Sequence, residues 1–166
     1  IVKILAYDDN PGFGGHQIMA CHGVAALASD PLLEVVFMAN PANRRRVEGL
    51  AGIRTIDPST DLSSVAPDLV LCVQGDIAQS VKGVRAARCA GTECVSYLAI
   101  PHTLQAMGAK LGTLRDRFNR HLLNQPDRYI VISGSMKNLL AERGVNKPIT
   151  VVPNGIPQVP TSSPRS

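Results

Sequence analysis

The stretch Val2-Lys3-Ile4-Leu5-Ala6-Tyr7-Asp8-Asp9-Asn10-Pro11-Gly12-Phe13-Gly14-Gly15-His16-Gln17 decides the fold. Its first half is a nearly continuous apolar run, which suits a parallel strand buried on both faces better than an alternating edge strand. We therefore expect it to be the central strand of a sheet. Pro11 and three glycines then turn the chain sharply, and apolar spacing from Gln17 to Ala28 resumes with a helical period. Glycines at a strand-to-helix turn leave room for a ligand to approach the backbone and permit positive φ. Beyond them, the free N–H groups and positive dipole end of the helix favour an anion. The run Gly12-Phe13-Gly14 starts like a dinucleotide fingerprint, but Gln17 stands where the third glycine belongs, and the second strand ends at Ala39-Asn40 without a carboxylate for a ribose hydroxyl. A nicotinamide dinucleotide site is excluded on both counts.

Outward from this stretch, strands alternate with helices. Leu33–Ala39, Ile53–Ile56, Asp68–Val73, Val95–Ile100, Tyr129–Ile132 and Ile149–Val152 read as six further strands. Helices are expected over Ala42–Leu50, over one turn capped by Asp61 or Ser63, over Ile77–Ala90, from a Thr113 cap to Pro126, and from Ser133 to Gly144. In the fourth of these, Leu114, Phe118 and Leu122 form one apolar stripe, with Arg115, Arg117 and Arg120 facing away. Regular alternation without a repeat implies a doubly wound α/β fold: a mostly parallel, Rossmann-like sheet of about seven strands with helices on both faces. Ligands of such folds lie outside the carboxyl ends of the strands. That edge collects Gly12–His16, Gln74–Asp76, Pro101–Thr103 and Ser133–Ser135.

Composition narrows the classes. The chain has 166 residues, enough for one domain with a substantial core, and no run is long and apolar enough for a membrane span. Four cysteines with no C-x-x-C pair and no histidine at ligand spacing read as reduced core thiols, with no metal site. A net charge of +4 favours phosphorylated or anionic partners, whereas 4% aromatics, none interleaved among basic residues, excludes a stacking platform for nucleic acid. Arg44-Arg45-Arg46 reads first as a solvated helix face. The chain opens on a strand with no leader pattern, so a cytoplasmic location is expected. Pro157–Ser166, rich in Pro, Ser and Thr, reads as a linker or disordered tail.

Several motifs together resemble the amino-terminal domain of a family 4 glycosyltransferase with GT-B architecture. They are Gly14-Gly15 after the first strand, His102 in Ile100-Pro101-His102-Thr103, Asp127-Arg128-Tyr129-Ile130-Val131-Ile132-Ser133, and Ile149-Thr150-Val151-Val152-Pro153-Asn154-Gly155-Ile156. The likeness covers Ile1 to Ile156. It implies that residues 1–156 form the acceptor-side domain of a retaining transferase and that Gly14 and Gly15 reach the donor phosphates. His102 would be the catalytic, sugar-contacting residue; taken alone, a lone histidine serves equally well as a structural group. His16, Gln74 and Asp76 are expected to face the acceptor. The donor would be a nucleotide sugar, UDP- or GDP-linked, acting as substrate with no further cofactor. Most of it would be held by a carboxyl-terminal domain that is absent here, so that the chain alone is inactive. The acceptor would be a sugar or lipid-linked compound, with peripheral contact at the inner face of a membrane. A second class stays open at this point: a non-catalytic Rossmann-like module that binds a nucleotide or a protein.

Overall fold

A computed structural model describes residues 1–155, and the tail expected over 157–166 lies outside the described residues. The strands are β1 (Val2–Asp8), β2 (Leu33–Ala39), β3 (Thr55–Ile56), β4 (Leu69–Gln74), β5 (Glu93–Leu98), β6 (Arg128–Val131) and β7 (Ile149–Val151). Between them run α1 (Gly15–Ala28), α2 (Arg44–Ala51), α3 (Leu62–Val65), α4 (Val81–Ala90), α5 (Gly112–Asn119), a 3-10 turn (Arg120–Asn124) and α6 (Gly134–Glu142). The seven strands pair in the order β3-β2-β1-β4-β5-β6-β7, and every pairing is parallel. This is the mostly parallel, Rossmann-like sheet expected from the alternation. β1 is buried from Ile4 to Asp8, its first two residues reaching the surface, and the middle position belongs to β4 instead; chain order reverses between the two, which makes their carboxyl ends the topological switch point.

Alternate residues of β1 serve different cores, because successive side chains of a strand point to opposite faces. Leu5 and Tyr7 pack with Met38, Cys72, Val84 and Ala87 beneath α3 and α4, whereas Ala6 packs with Cys21, Val24, Phe37 and Val47 beneath α1 and α2. A third cluster joins Leu98, Tyr129, Val131 and Leu140 under α6 and the 3-10 turn. Right-handed crossovers to either side of the switch point put helices on both faces. The face of β5 and β6 that shares a side with α1 has no helix over it among the described residues. It is the floor of an apolar groove of about 580 Å³ lined by Leu27, Leu71, Tyr97, Ile130 and Val152.

Several local expectations need correction. The fourth helix begins at Val81 rather than Ile77, because Gln79 Oε1 accepts from Gly75 N at 2.9 Å and the Ser80 hydroxyl donates to Val73 O at 2.7 Å, holding the intervening residues in a turn. Thr113 does not cap α5: the helix starts at Gly112, where a Cβ would come within 2.5 Å of the Gln105 backbone, and Leu111 takes the cap position with φ 55°. Of the predicted apolar stripe only Leu122 is buried, while Leu114 and Phe118 are 49% and 69% exposed. Cys21, Cys72 and Cys94 are core thiols as expected, but Cys89 is exposed on the outer side of α4. The arginine run is exposed at Arg45 and Arg46, as expected of a solvated face, although Arg46 also lies over the Phe13 ring; Arg44 is half-buried and pairs with Asp57 at 2.5 Å. The caps at Asp61 and Ser133 and the left-handed Gly144 after α6 stand where the sequence placed them.

Gly83, on the inner side of α4, lets that helix lie directly on Tyr7; a Cβ there would stand 2.6 Å from the ring Cγ. The ring cannot retreat into the filled core. Gly83→Ala is therefore expected to lower stability by about 1–3 kcal/mol despite its better helix propensity, measured by urea denaturation; a neutral or stabilising result would show that α4 rides higher on the sheet than described.

Candidate functional site

The loop from Asp8 to Gly15 leaves β1 at the switch point and enters α1. Its glycines have none of the positive φ values expected of them: Gly14 is extended at φ −138°, and positive φ occurs at Gly52, Gly91, Gly108 and Gly144 instead. Space is the better reason for Gly15, since a Cβ there would meet nothing within 4 Å. The backbone above α1 is open to a ligand. Ile18 N bonds Gly14 O, so the N–H groups of Gly15, His16 and Gln17 form the unpaired first turn of the helix, with no protein acceptor among the described residues. Three aligned donors and the dipole end give this edge a positive local potential.

Side-chain amides hold the loop in this shape. Asn43, buried at the start of α2, donates through Nδ2 to both Asn10 O (2.9 Å) and Gly12 O (2.8 Å), while Asn40 Nδ2 donates to Asp9 O (2.8 Å). Gln17 closes the loop from within α1, accepting from Gly14 N at 2.7 Å and donating to Gly12 O at 3.2 Å. Asp8 Oδ1 accepts from Asn10 N at 3.0 Å. Sequence reasoning missed Asn40, Asn43 and Asp8 as loop-shaping residues. The available signal was two asparagines spaced to follow β2, at the same edge as the glycines.

Asp8 is only 5% exposed, and burial raises its carboxyl to about 6, an effect that the Asn10 amide and the neighbouring Gln17 and Ser80 offset only in part. His16, the next candidate, is half-buried against the β4 loop: a Cβ on Gly75 would stand 2.8 Å from its Cε1, and its Nε2 is buried without a partner. Burial lowers the His16 pKa while Asp76 opposes the shift, so the ring is neutral at neutral pH. Asp76 is half-buried, and its Oδ1 accepts from Ala78 N at 2.8 Å. Gln74 is 1% exposed with its amide fully engaged, donating to Gln79 O (2.5 Å) and accepting from the Ser96 hydroxyl (2.5 Å); it shapes the β4 loop from below.

His102 stands after β5, exposed, on a loop whose backbone is fixed by Arg143 from the end of α6. The guanidinium donates to Pro101 O and, at 3.2 Å, to His102 O. Arg143 thus shapes the His102 loop, a contact that the sequence did not announce. Between the β1 and β4 loops lies an open groove of about 340 Å³ lined by Asp9, Asn10, Pro11, Gln79, Ser80 and Lys82. Thus Gly14, Gly15, His16 and Asp76 come together around the switch point, while His102 occupies the next loop along the same edge. His22 and His121 lie elsewhere: His22 lines the apolar groove, and His121 Nδ1 meets Phe118 O at 2.6 Å.

An all-parallel sheet with polar loops gathered at its switch point defines a Rossmann-like domain. The model of Glycosyltransferase Family 4 matches residues 15–158, and the chain belongs to that family. No curated protein sequence matches it. Among solved structures the fold is similar to S. aureus MnaA in a co-structure with UDP, at 18% identity and a TM-score of 0.64 over 91% of this chain and 43% of that one. It is likewise similar to the UDP-GlcNAc 2-epimerase of Neisseria meningitidis bound to UDP-GlcNAc (16%, 0.60, covering 90% and 45%) and to the lipopolysaccharide outer core galactosyltransferase WaaB (16%, 0.59, covering 94% and 46%). The chain spans less than half the length of these solved proteins.

The buried carboxyl of Asp8 makes stability depend on pH in a definite direction. A raised folded pKa means that the folded state binds the proton more tightly than the unfolded chain, so stability falls as pH rises from about 4 through 6. The loss is on the order of 3 kcal/mol. Asp8→Asn keeps an oxygen for the Asn10 amide and removes the charge; it is expected to match the wild type near pH 4 and to exceed it at pH 7.5, measured by melting across that range. Parallel pH profiles for the two proteins would show that Asp8 is solvated.

Proposed function

We propose that this chain is the acceptor-side half of a retaining glycosyltransferase that takes its sugar from a UDP- or GDP-linked donor. The observation that carries this reading is the braced glycine loop, with three free amides and open space over Gly15, in a chain of Glycosyltransferase Family 4. Gly14 and Gly15 would hold the donor diphosphate as it departs, Gly15 through its free N–H, a role that oriented backbone donors perform without reorganisation, and Gly14, whose N–H is held by Gln17, by leaving the phosphates room to approach. His102 contacts the transferring sugar. His16 and Asp76 line the acceptor side, with Gln74 acting through the loop it supports. In a retaining reaction of this kind the departure of the leaving diphosphate is assisted electrostatically rather than by a general base. Most of the donor belongs to a carboxyl-terminal domain outside this chain. The acceptor is a sugar or lipid-linked compound met at the cytoplasmic face of a membrane.

On this reading the 166-residue chain binds UDP- or GDP-sugars weakly, with Kd on the order of 1 mM, and does not turn them over. Nitrogen–proton NMR titration is expected to move the amide signals of Gly14, Gly15 and His16 first. In Gly15→Val those shifts vanish while the melting temperature stays within a few degrees, because the added side chain enters open space. Appreciable sugar transfer by the chain alone would overturn the half-enzyme reading, and unchanged binding by Gly15→Val would reduce the glycines to a tight turn.

A further inference from the structure

α5 is amphipathic the wrong way round for a core helix. Gly112, Asp116 and Asn119 form its inward side: Gly112 is buried against the Gln105 backbone, and the Asp116 carboxylate accepts from Leu104 N (2.8 Å) and Gln105 N (3.0 Å). Leu114 and Phe118, four apart, therefore form a stripe on the opposite side, and Leu111 is exposed at the left-handed cap position just before it. Leu111, Leu114 and Phe118 are 74%, 49% and 69% exposed, and Met107 beside the helix start is also exposed. Arg117 flanks this stripe on one side and Arg115 on the other, with Lys110 and Arg120 at its two ends, all exposed. From Met107 to Arg120 the only carboxylate is the one turned inward. A contiguous exposed apolar patch marks a contact surface, and a ring of cations around it with no outward anion complements a negatively charged plane.

We propose that the outer face of α5 docks on an anionic lipid bilayer, with Leu111, Leu114 and Phe118 entering the headgroup–acyl boundary and Lys110, Arg115, Arg117 and Arg120 meeting lipid phosphates. Apolar burial and attraction to anionic headgroups act together in such interfacial helices, and neither is sufficient for so short a segment. A protein partner or a second copy would need carboxylates to match four cations, and the patch carries none of its own to offer in a symmetric contact. Because Asp116 ties α5 to the Leu104–Gln105 backbone, docking also sets the His102 loop at the membrane surface. A lipid-linked acceptor follows from that placement, a consequence that rests on the transferase reading; the docking itself does not.

The chain contains no Trp, so Phe118→Trp installs a single reporter on the docking face. With phosphatidylglycerol–phosphatidylcholine vesicles its emission is expected to shift to the blue and to be quenched by brominated acyl chains, and both effects weaken as salt is raised. Flotation with the same vesicles is expected to recover the wild-type chain, to recover Leu114→Ser/Phe118→Ser and Arg115→Gln/Arg117→Gln at least about tenfold less well, and to recover none with pure phosphatidylcholine. Both pairs are on the surface, and matching melting temperatures confirm that they fold. The proposal is overturned by absence of wild-type flotation, by flotation that the two pairs leave unchanged, or by unquenched emission in a chain that floats. Concentration-dependent dimers abolished by Leu114→Ser/Phe118→Ser, with no vesicle binding, would assign the patch to a second copy. None of these outcomes bears on nucleotide-sugar binding, which the glycine-loop titration reads separately.

Discussion

The Asn43 side-chain amide, donating to two carbonyls of the glycine loop, is the contact on which the site depends. A loop of Pro and Gly has many conformations available, and ordering each residue costs about 1–2 kcal/mol of backbone entropy. The turns closed by Asp8 and Asn10 and the packing of Phe13 offset only part of that, since glycine side chains bury no surface. The remaining compensation comes from outside, in the amides of Asn40 and Asn43 on the β2–α2 connection and of Gln17 inside α1. Leaving the Asn10 and Gly12 carbonyls without these donors would cost about 1–3 kcal/mol each where they are buried. Three elements meeting at one sheet edge thus preorganise a backbone that has little preference of its own, and the free amides of α1 stay aimed outward.

How much of this was legible in the sequence follows from which forces are local. The strands and the doubly wound topology could be read because apolar runs and turn residues are repeated signals: β2 agrees end to end, and most other strands differ from expectation by one or two residues. Position within the sheet was less legible. β1 and β4 carry equally apolar runs, and only the crossover order puts β4 in the middle. The glycines were singled out partly for a reason of backbone angle that does not hold; an extended Gly14 and an unobstructed Gly15 can be told from a positive-φ pair only once the chain is folded. Gln74 shows the same limit: a polar residue at a strand's carboxyl end looks like a ligand contact until its neighbours, Ser96 and Gln79, are found to engage it.

α5 illustrates a different failure of local reasoning. Its apolar spacing is real, and amphipathic spacing normally predicts burial. The side that meets the domain is chosen instead by two tertiary contacts that the pattern cannot express: Gly112 fitting under Gln105, and Asp116 binding two backbone amides. Both lie a helical turn apart on the polar side, so the apolar stripe is rotated into solvent. The cost of exposing Leu111 in a left-handed conformation, on the order of 1 kcal/mol or more, is accepted in order to close the helix against the loop that follows β5.

Groups that a folding domain would avoid stand at the carboxyl edge of the sheet. Asp8 is a buried carboxyl raised toward neutrality, His16 carries a buried nitrogen without a partner, and Ser80 is left-handed beside the β4 loop. Each costs stability, and such violations persist where the surrounding structure over-determines them. The three lie within the two loops that bracket the switch point. The opposite, amino-terminal edge has surface pairs such as Lys3–Glu34 and Arg128–Glu93, together with a left-handed Ala66 before β4 and a buried, unpartnered Gln125 Oε1 before β6, but no carboxyl or imidazole shifted by burial among the described residues. What sets the carboxyl edge apart is that two titratable groups, Asp8 and His16, are held there against their ordinary ionisation, and the proposed site rests on this feature together with the braced glycine loop.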